Sequence, residues 1–347
     1  MNIIKSDKMI NLILNKLYNS KNISKDESNY LFTAIINKKL NSSQLVAILI
    51  AMKIKGVNYE EIAGAVTAII SHKIKYFPKP KYIISDIVGT GGDNMNTLNI
   101  STGSSFIAAS CGLKIVKHIN HCISSKSGSA DILSAMGIQL NQSSIVSRKL
   151  LDDFNLCFLL APKYNNFFLD FMIIRKQLKT RTILNILGPL LNPAKPQIIL
   201  IGVYKKSLLL PVINTLKLLQ YKKAAVVHCS GMDEISLHDN THVFELNNNI
   251  ISNYILTPKH FGLNYILKND LVGGLPKENA KCLIKLLKGK SKNISYKNTI
   301  AANVAFLLKL HGKKNLIQNT QMVLNIINNG LGYKYITNLI NKGFIKK

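Results

Sequence analysis

Asp86-Ile-Val-Gly-Thr-Gly-Gly-Asp-Asn-Met-Asn-Thr-Leu-Asn-Ile-Ser-Thr102 is the stretch on which the reading of this chain turns. An apolar, β-branched run (Ile83, Ile84, Ile87, Val88) stops at Gly89, Gly91 and Gly92. After a polar turn, Asn99-Ile-Ser-Thr102 opens a small-residue run that ends at Gly112. The pattern predicts a strand, a glycine-rich turn and a helix with hydroxyls at its start. Glycines let backbone N–H groups approach an anion, and a helix N-terminus adds donors and partial positive charge, so a phosphate or diphosphate is the expected occupant. Taken alone, the stretch fits an ordinary tight turn with a Ser/Thr cap equally well. Residues 113–117 then read as a second strand, followed by the donor-rich loop His118-Ile-Asn-His-Cys-Ile-Ser-Ser-Lys-Ser-Gly-Ser-Ala-Asp131. Two successive strands thus release polar loops toward one sheet edge, where α/β folds place ligands.

Outward from this centre the chain divides. Residues 1–75 read as helices: Met9, Ile10, Leu12, Ile13, Leu14 and Leu17 share an apolar face, Ser24-Lys-Asp-Glu27 has capping-box form, and further helices span residues 44–55 and, after Asn58, 59–71. From residue 83 strands are expected near 83–88, 113–117, 157–160, 197–203, 224–228 and 242–246. Helices are expected near 101–111, 129–136, 143–153 and 207–219. That alternation implies an α/β fold, a small N-terminal helical domain followed by a mostly parallel sheet flanked by helices. Residues 167–187 interrupt it with a helical pattern, and C-terminal helices near 277–287, 297–311 and 316–329 cover the sheet.

With 347 residues and 47% apolar content, the chain has room for a full core. No apolar run reaches the roughly 18 residues of a membrane span, and Lys5, Asp7 and Lys8 break any signal-peptide core, so no membrane partner and a cytoplasmic location are expected. Five scattered cysteines without Cys-x-x-Cys spacing are expected to be free thiols. His118, His121 and Cys122 lack the fourth ligand and the second cluster of a closed zinc site. The net charge of +28 invites a nucleic-acid reading, but the excess is lysine spread along an Asn- and Ile-rich chain, with arginine only at Arg148, Arg175 and Arg181. No nucleic-acid partner is expected.

Taken in order, Gly89-Thr-Gly-Gly-Asp93, Asn99-Ile-Ser-Thr102, Lys117-His118, Ser124-Ser125, Gly128-Ser-Ala-Asp131, Ile183-Leu-Asn-Ile-Leu-Gly-Pro-Leu-Leu-Asn-Pro193 and Gly231-Met-Asp-Glu234 resemble the signature blocks of the anthranilate phosphoribosyltransferases. The resemblance covers nearly the whole chain. It implies transfer of 5-phosphoribose from phosphoribosyl diphosphate (PRPP) to the amino group of anthranilate, in tryptophan synthesis. It implies that Gly89, Gly92, Asp93 and Thr97 shape a diphosphate loop, and that Asn99, Ile100, Ser101, Thr102, Lys117, Ser125 and Ser129 hold PRPP. Gly89, Asn120 and Arg175 would hold anthranilate, and Ser101 would reach a metal ion. The adjacent carboxylates Asp233 and Glu234, in a chain with only 17 acids, are expected to bind two Mg²⁺ ions together with the substrate's diphosphate. No side chain stands out as a general acid or base. The resemblance also implies that residues 165–192 complete the helical domain of residues 1–75, leaving 76–164 and 193–347 as the PRPP-binding domain, and that a homodimer forms through the helices.

The chain departs from the family pattern at Asn94, Ile119, His121, Asn165 and Phe167, the last two at the expected anthranilate entrance. A nucleoside phosphorylase of the same fold, or a nucleic-acid-binding protein on this scaffold, are the alternative readings.

Overall fold

Strand and helix alternate from Ser85 to His228, as the glycine and β-branched pattern predicts, and two strands without an intervening helix follow. The computed structural model describes residues 2–73, 76–93, 95–122, 126–165, 167 and 171–344. Among them, seven strands form one sheet: β1 (Ser85–Gly89), β2 (Ile115–Ile119), β3 (Leu156–Leu160), β4 (Ile198–Gly202), β5 (Lys223–His228), β6 (Thr241–Asn247) and β7 (Ile250–Leu256), in the order β3-β2-β1-β4-β5-β6-β7. The pairings from β3 to β5 are parallel, and β6 and β7 add antiparallel. Every residue of β2 and β4 is buried, the signature of parallel strands covered on both faces.

Alternate residues serve opposite faces. Ile198, Leu200, Ala225 and Val227 enter one apolar cluster, while Ile199, Ile201, Ala224 and Val226 enter another. The first holds the helix Ile100–Ser110, and with it the C-terminal helices Pro276–Leu287, Ile294–Leu310 and Leu316–Asn328. The second joins the sheet to the N-terminal helices α1 (Asn2–Tyr18), α2 (Lys25–Ile36), α3 (Ser42–Lys55) and α4 (Tyr59–Lys73), to Phe167 and to residues 171–191. Phe167 is 1% exposed, with its ring 6.4 Å from Phe32 and 4.8 Å from Phe171. Burial of a side chain this size contributes roughly 1.5–3 kcal/mol.

The capping box read at Ser24 is present: Glu27 N–H donates to Ser24 Oγ at 3.2 Å and Ser24 N–H to Glu27 Oε2 at 3.0 Å. Beneath it, Glu61 is fully buried against Lys55, 2.7 Å away, and also accepts from the Ile23 and Asn58 N–H groups. A buried carboxylate so fully partnered locks the helices together, and removing one partner of such a pair is costly.

Two elements escape the sequence reading. Strand β7 follows a two-residue turn in which Asn248 and Asn249 both take positive φ, 46° and 68°, the geometry of a tight hairpin. The helix Lys334–Asn341 closes the chain, burying Tyr335, Ile336 and Leu339. No disulfide links the described cysteines.

Candidate functional site

The strand order reverses between β1 and β4, and an open α/β sheet binds ligands outside the strand ends at such a point. Gly89 and Gly202 are register partners at those two ends. Asp233 sits directly on them. A Cβ on Gly89 would lie 2.3 Å from Asp233 Oδ2, and one on Gly202 would lie 1.4 Å from the Asp233 carbonyl oxygen. The glycine pair is therefore the seat of the acidic loop, and any side chain at either position would evict it. Gly202 was not assigned from sequence, although a glycine closing a strand signals close backbone approach.

A cleft with a cavity of about 260 Å³ opens above this seat. Of the residues expected there, Gly89, Gly92, Asp93, Thr97, Asn99, Ser101, Lys117, Asn120, Ser129, Arg175, Asp233 and Glu234 line it. Ser124, Ser125 and Asn94 lie outside the described residues. The side chain of Ile100 does not reach the cleft: it is fully buried in the core below. Thr102 is buried as well and acts one step removed, its Oγ1 donating to Ser129 Oγ at 3.0 Å. The helix begins at Ile100, and Asn99, the residue before it, makes no capping bond. Asn99 is held sideways instead, its Nδ2 donating to Ser127 O and its Oδ1 accepting from Asn279 Nδ2. Asn279, Asn96, Asn185 and Lys126 line the cleft and were not assigned from sequence, since Asn and Lys are too common here to stand out.

The acids carry the electrostatics. Gly91 N–H donates to Asp233 Oδ2 at 2.6 Å, and Ser101 N–H donates to Glu234 Oε1 at 3.1 Å. Burial raises Asp233 to about 7, helped by the negative charge of Asp93, and burial likewise pushes Glu234 well above the usual carboxylate range. Asp93 is also raised by burial. Glu234 Oε2 is buried with no hydrogen-bond partner among the described residues. Three acids crowded on one wall of the cleft, one with an orphaned buried oxygen, fit a hard divalent cation. Among the described residues no three His, Cys, Asp or Glu side chains converge on a single point.

Below the acids lies a second polar layer. Lys117 is 1% exposed and its Nζ donates to Ile87 O at 2.5 Å. Burial lowers its pKa against the opposing pull of Asp86, Glu234 and Asp233. Asp86, fully buried and raised by burial to about 6, accepts from Asn192 Nδ2 at 2.8 Å, while the same Nδ2 donates to Val116 O at 2.8 Å. Asn192 thereby ties β1 to β2. His118 lines the cleft wall, and burial lowers it to about 4, leaving it neutral near pH 7.

Across the cleft, Arg175 is half-buried, and burial lowers its pKa from the usual guanidinium value. His121 is exposed at the rim and pairs with Asp131 at 2.7 Å. Asn165 and Phe167 were expected at an entrance, but neither lines the cleft. Phe167 is packed in the helical core, and Asn165, 2% exposed, accepts from the Phe167 N–H at 2.8 Å. A ring in place of a small residue is accommodated by turning inward.

Comparison with known proteins agrees with this geometry. Residues 81–333 match the model of the glycosyl transferase family a/b domain, and residues 11–73 match that of the glycosyl transferase family helical bundle domain. The anthranilate phosphoribosyltransferase of Yersinia pseudotuberculosis is 49% identical over 335 residues, covering 96% of this chain and 100% of its own. The crystal structure of the Thermus thermophilus anthranilate phosphoribosyltransferase superposes with a TM-score of 0.88 at 28% identity, over 95% of this chain and 98% of its own. That of Saccharomyces cerevisiae, in complex with PRPP and Mg, gives 0.87 at 28% identity, over 96% and 97%. A likeness that runs from the helical bundle through the seat of the acidic loop to the C-terminal helices places this chain in the anthranilate phosphoribosyltransferase family.

Proposed function

We propose that this chain transfers the 5-phosphoribosyl group of PRPP to the amino group of anthranilate, giving N-(5-phosphoribosyl)anthranilate and diphosphate, the second step of tryptophan synthesis from chorismate. The observation that carries the reading is the Asp233–Glu234 couple, seated on the Gly89–Gly202 pair and facing the glycine turn in a chain of this family.

The glycine turn, through the Gly92 and Asp93 N–H groups and with Thr97, receives the diphosphate, while the Thr90 and Gly91 N–H groups hold Gly202 O and Asp233 Oδ2. Asn99, Ser101, Ser125 and Ser129 hold phosphate oxygens, with Thr102 orienting the Ser129 hydroxyl. Lys117, fixed in the sheet, supplies a point charge beneath the donor. Arg175 and Asn120 hold the anthranilate carboxylate, Arg175 in the bidentate manner that planar guanidinium allows. Asp233, Glu234 and Ser101 would hold Mg²⁺, two ions per protomer, whose chemistry is neutralising the charge on the departing diphosphate. The aniline nitrogen attacks C1 of the ribose as the neutral amine, the C–N bond forming as the C–O bond to diphosphate breaks. Its proton leaves afterward. No side chain is needed as general base, and holding the two substrates in line carries the rate.

The domain division follows the same reading: residues 1–75 with 165–192 form a helical domain, and 76–164 with 193–347 the PRPP-binding domain. An apolar groove lined by Leu17, Tyr18, Ala47, Ile50 and Ile54, with Met9 and Leu12 exposed on the same first helix, supports a homodimer through the helices. No helix among the described residues is long and apolar enough to cross a membrane. PRPP, a polyanion that does not cross membranes unaided, makes the cytoplasm the expected place of reaction.

The test is the fluorescence of anthranilate on incubation with the protein, PRPP and Mg²⁺. Loss of signal that requires all three supports the reading. Unchanged anthranilate, with phosphate-dependent cleavage of a nucleoside instead, would overturn it in favour of a phosphorylase.

A further inference from the structure

Arg181 has no part in the scheme above and does not line the cleft, yet it packs between Tyr204 and the glycine turn. Its Cζ lies over the Tyr204 ring, 4.3 Å from the centroid. A Cβ built on Gly92 would come within 3.3 Å of Arg181 Nε, so the guanidinium rests against the turn at a residue whose φ is +72°. Its charge favours ionised Asp93, against the desolvation that raises that acid.

Tyr204 reaches the other half of the turn. Its N–H donates to Thr90 Oγ1 at 3.2 Å, and the Thr90 N–H donates to Gly202 O at 3.0 Å. One residue just beyond the end of β4 therefore grips Thr90 through its backbone and, through its ring, carries the cation that braces Gly92. The choice of side chain is informative. Lysines lie over rings elsewhere in this chain, but only a planar guanidinium can face the Tyr204 ring with its Cζ while its Nε faces Gly92.

We infer that Arg181, stacked on Tyr204 and seated against Gly92, is a positioning residue that holds the Gly91-Gly92-Asp93 half of the turn in the shape that receives diphosphate. It acts through the backbone N–H groups it steadies. The inference rests on the reading of the cleft as a diphosphate site. Preorganised donors bind an anion without paying to become ordered, so a loosened turn weakens diphosphate while leaving the anthranilate side untouched.

Calorimetric titration of inorganic diphosphate with Mg²⁺, together with steady-state kinetics, decides it. Arg181→Met is expected to weaken diphosphate and raise the PRPP KM about tenfold, the scale of one desolvated cation–π contact, with the anthranilate KM and the thermal midpoint nearly unchanged. Tyr204→Phe keeps the ring and is expected to behave as wild type. Tyr204→Ala is expected to match Arg181→Met, and the double variant to be no worse than either, because one contact is lost only once. Arg181→Lys, which keeps charge without the planar stack, is expected to remain severalfold weaker and serves if the Met variant does not fold. Equal rises in both KM values, additive losses in the double variant, or diphosphate affinity equal to wild type would overturn the inference. A wild-type protein that binds no diphosphate would overturn the diphosphate reading itself.

Discussion

Glu234 caps the helix that begins at Ile100, one carboxylate oxygen accepting from Ser101 N–H at 3.1 Å while the other lies buried with no partner among the described residues. A buried oxygen left without a partner costs free energy that a bound cation would offset. Glu234→Gln keeps the cap and removes the charge. It is expected to lower turnover about a hundredfold and to raise the Mg²⁺ concentration needed for half-maximal rate. In metal-free protein the same change is expected to raise the melting temperature by a few degrees, because a costly buried charge is gone. Wild-type rate at saturating metal would count against the assignment.

Arg175→Ala is expected to raise the apparent KM for anthranilate at least tenfold, and that for PRPP much less, since a charged hydrogen bond to carboxylate is lost. Steady-state kinetics with each substrate varied in turn checks this. An equal rise in both would make the arginine structural.

The centre of this fold was legible because its chemistry is local. Ile87 and Val88 end at glycines, and the hydroxyl-rich start of the next helix follows within a few residues, so strand, turn and helix announce themselves. What stayed hidden depends on distant pairs. Nothing near Gly202 shows that the Asp233 carbonyl will rest on it, and nothing near Asn99 shows that a far glutamate will cap its helix in its place. Strand β7 was lost for another reason: Asn248 and Asn249 make its turn, but asparagine is so frequent in this chain that a turn signal resembles composition. Ile100 and Thr102 sit within a block that otherwise faces the cleft, yet helical periodicity turns their side chains inward.

Asp86 and Lys117 share a buried layer in which burial pushes both toward neutrality. Asp86→Asn leaves the lysine without its nearest counter-charge and is expected to cost about 3 kcal/mol in urea unfolding. Adding Lys117→Met to it is expected to cost less than the sum of the two single changes. Strict additivity would mean the two groups do not interact.

His118 and His311 are both lowered by burial to about 4. For each, the unfolded chain binds a proton between about pH 6.5 and 4 that the folded one refuses. The stability each confers is complete above about pH 6.5 and is lost as pH falls through that window, approaching roughly 3 kcal/mol for the fully buried His118. His118→Gln is expected to flatten the acid limb of a stability-versus-pH curve measured by thermal melts. A His118 ring proton that titrates near 6.5 by NMR would contradict this.

The central claim is that the glycine turn, the seated acids and the first turn of the helix at Ile100 together enclose a sugar diphosphate. Crystals soaked with PRPP and Mg²⁺ test it most directly. The account expects the diphosphate against the Gly91 and Gly92 backbone, metal at Glu234, and the ribose facing Arg175 across the cleft. Density for the donor elsewhere, or a cleft empty at saturating donor and metal, would contradict it.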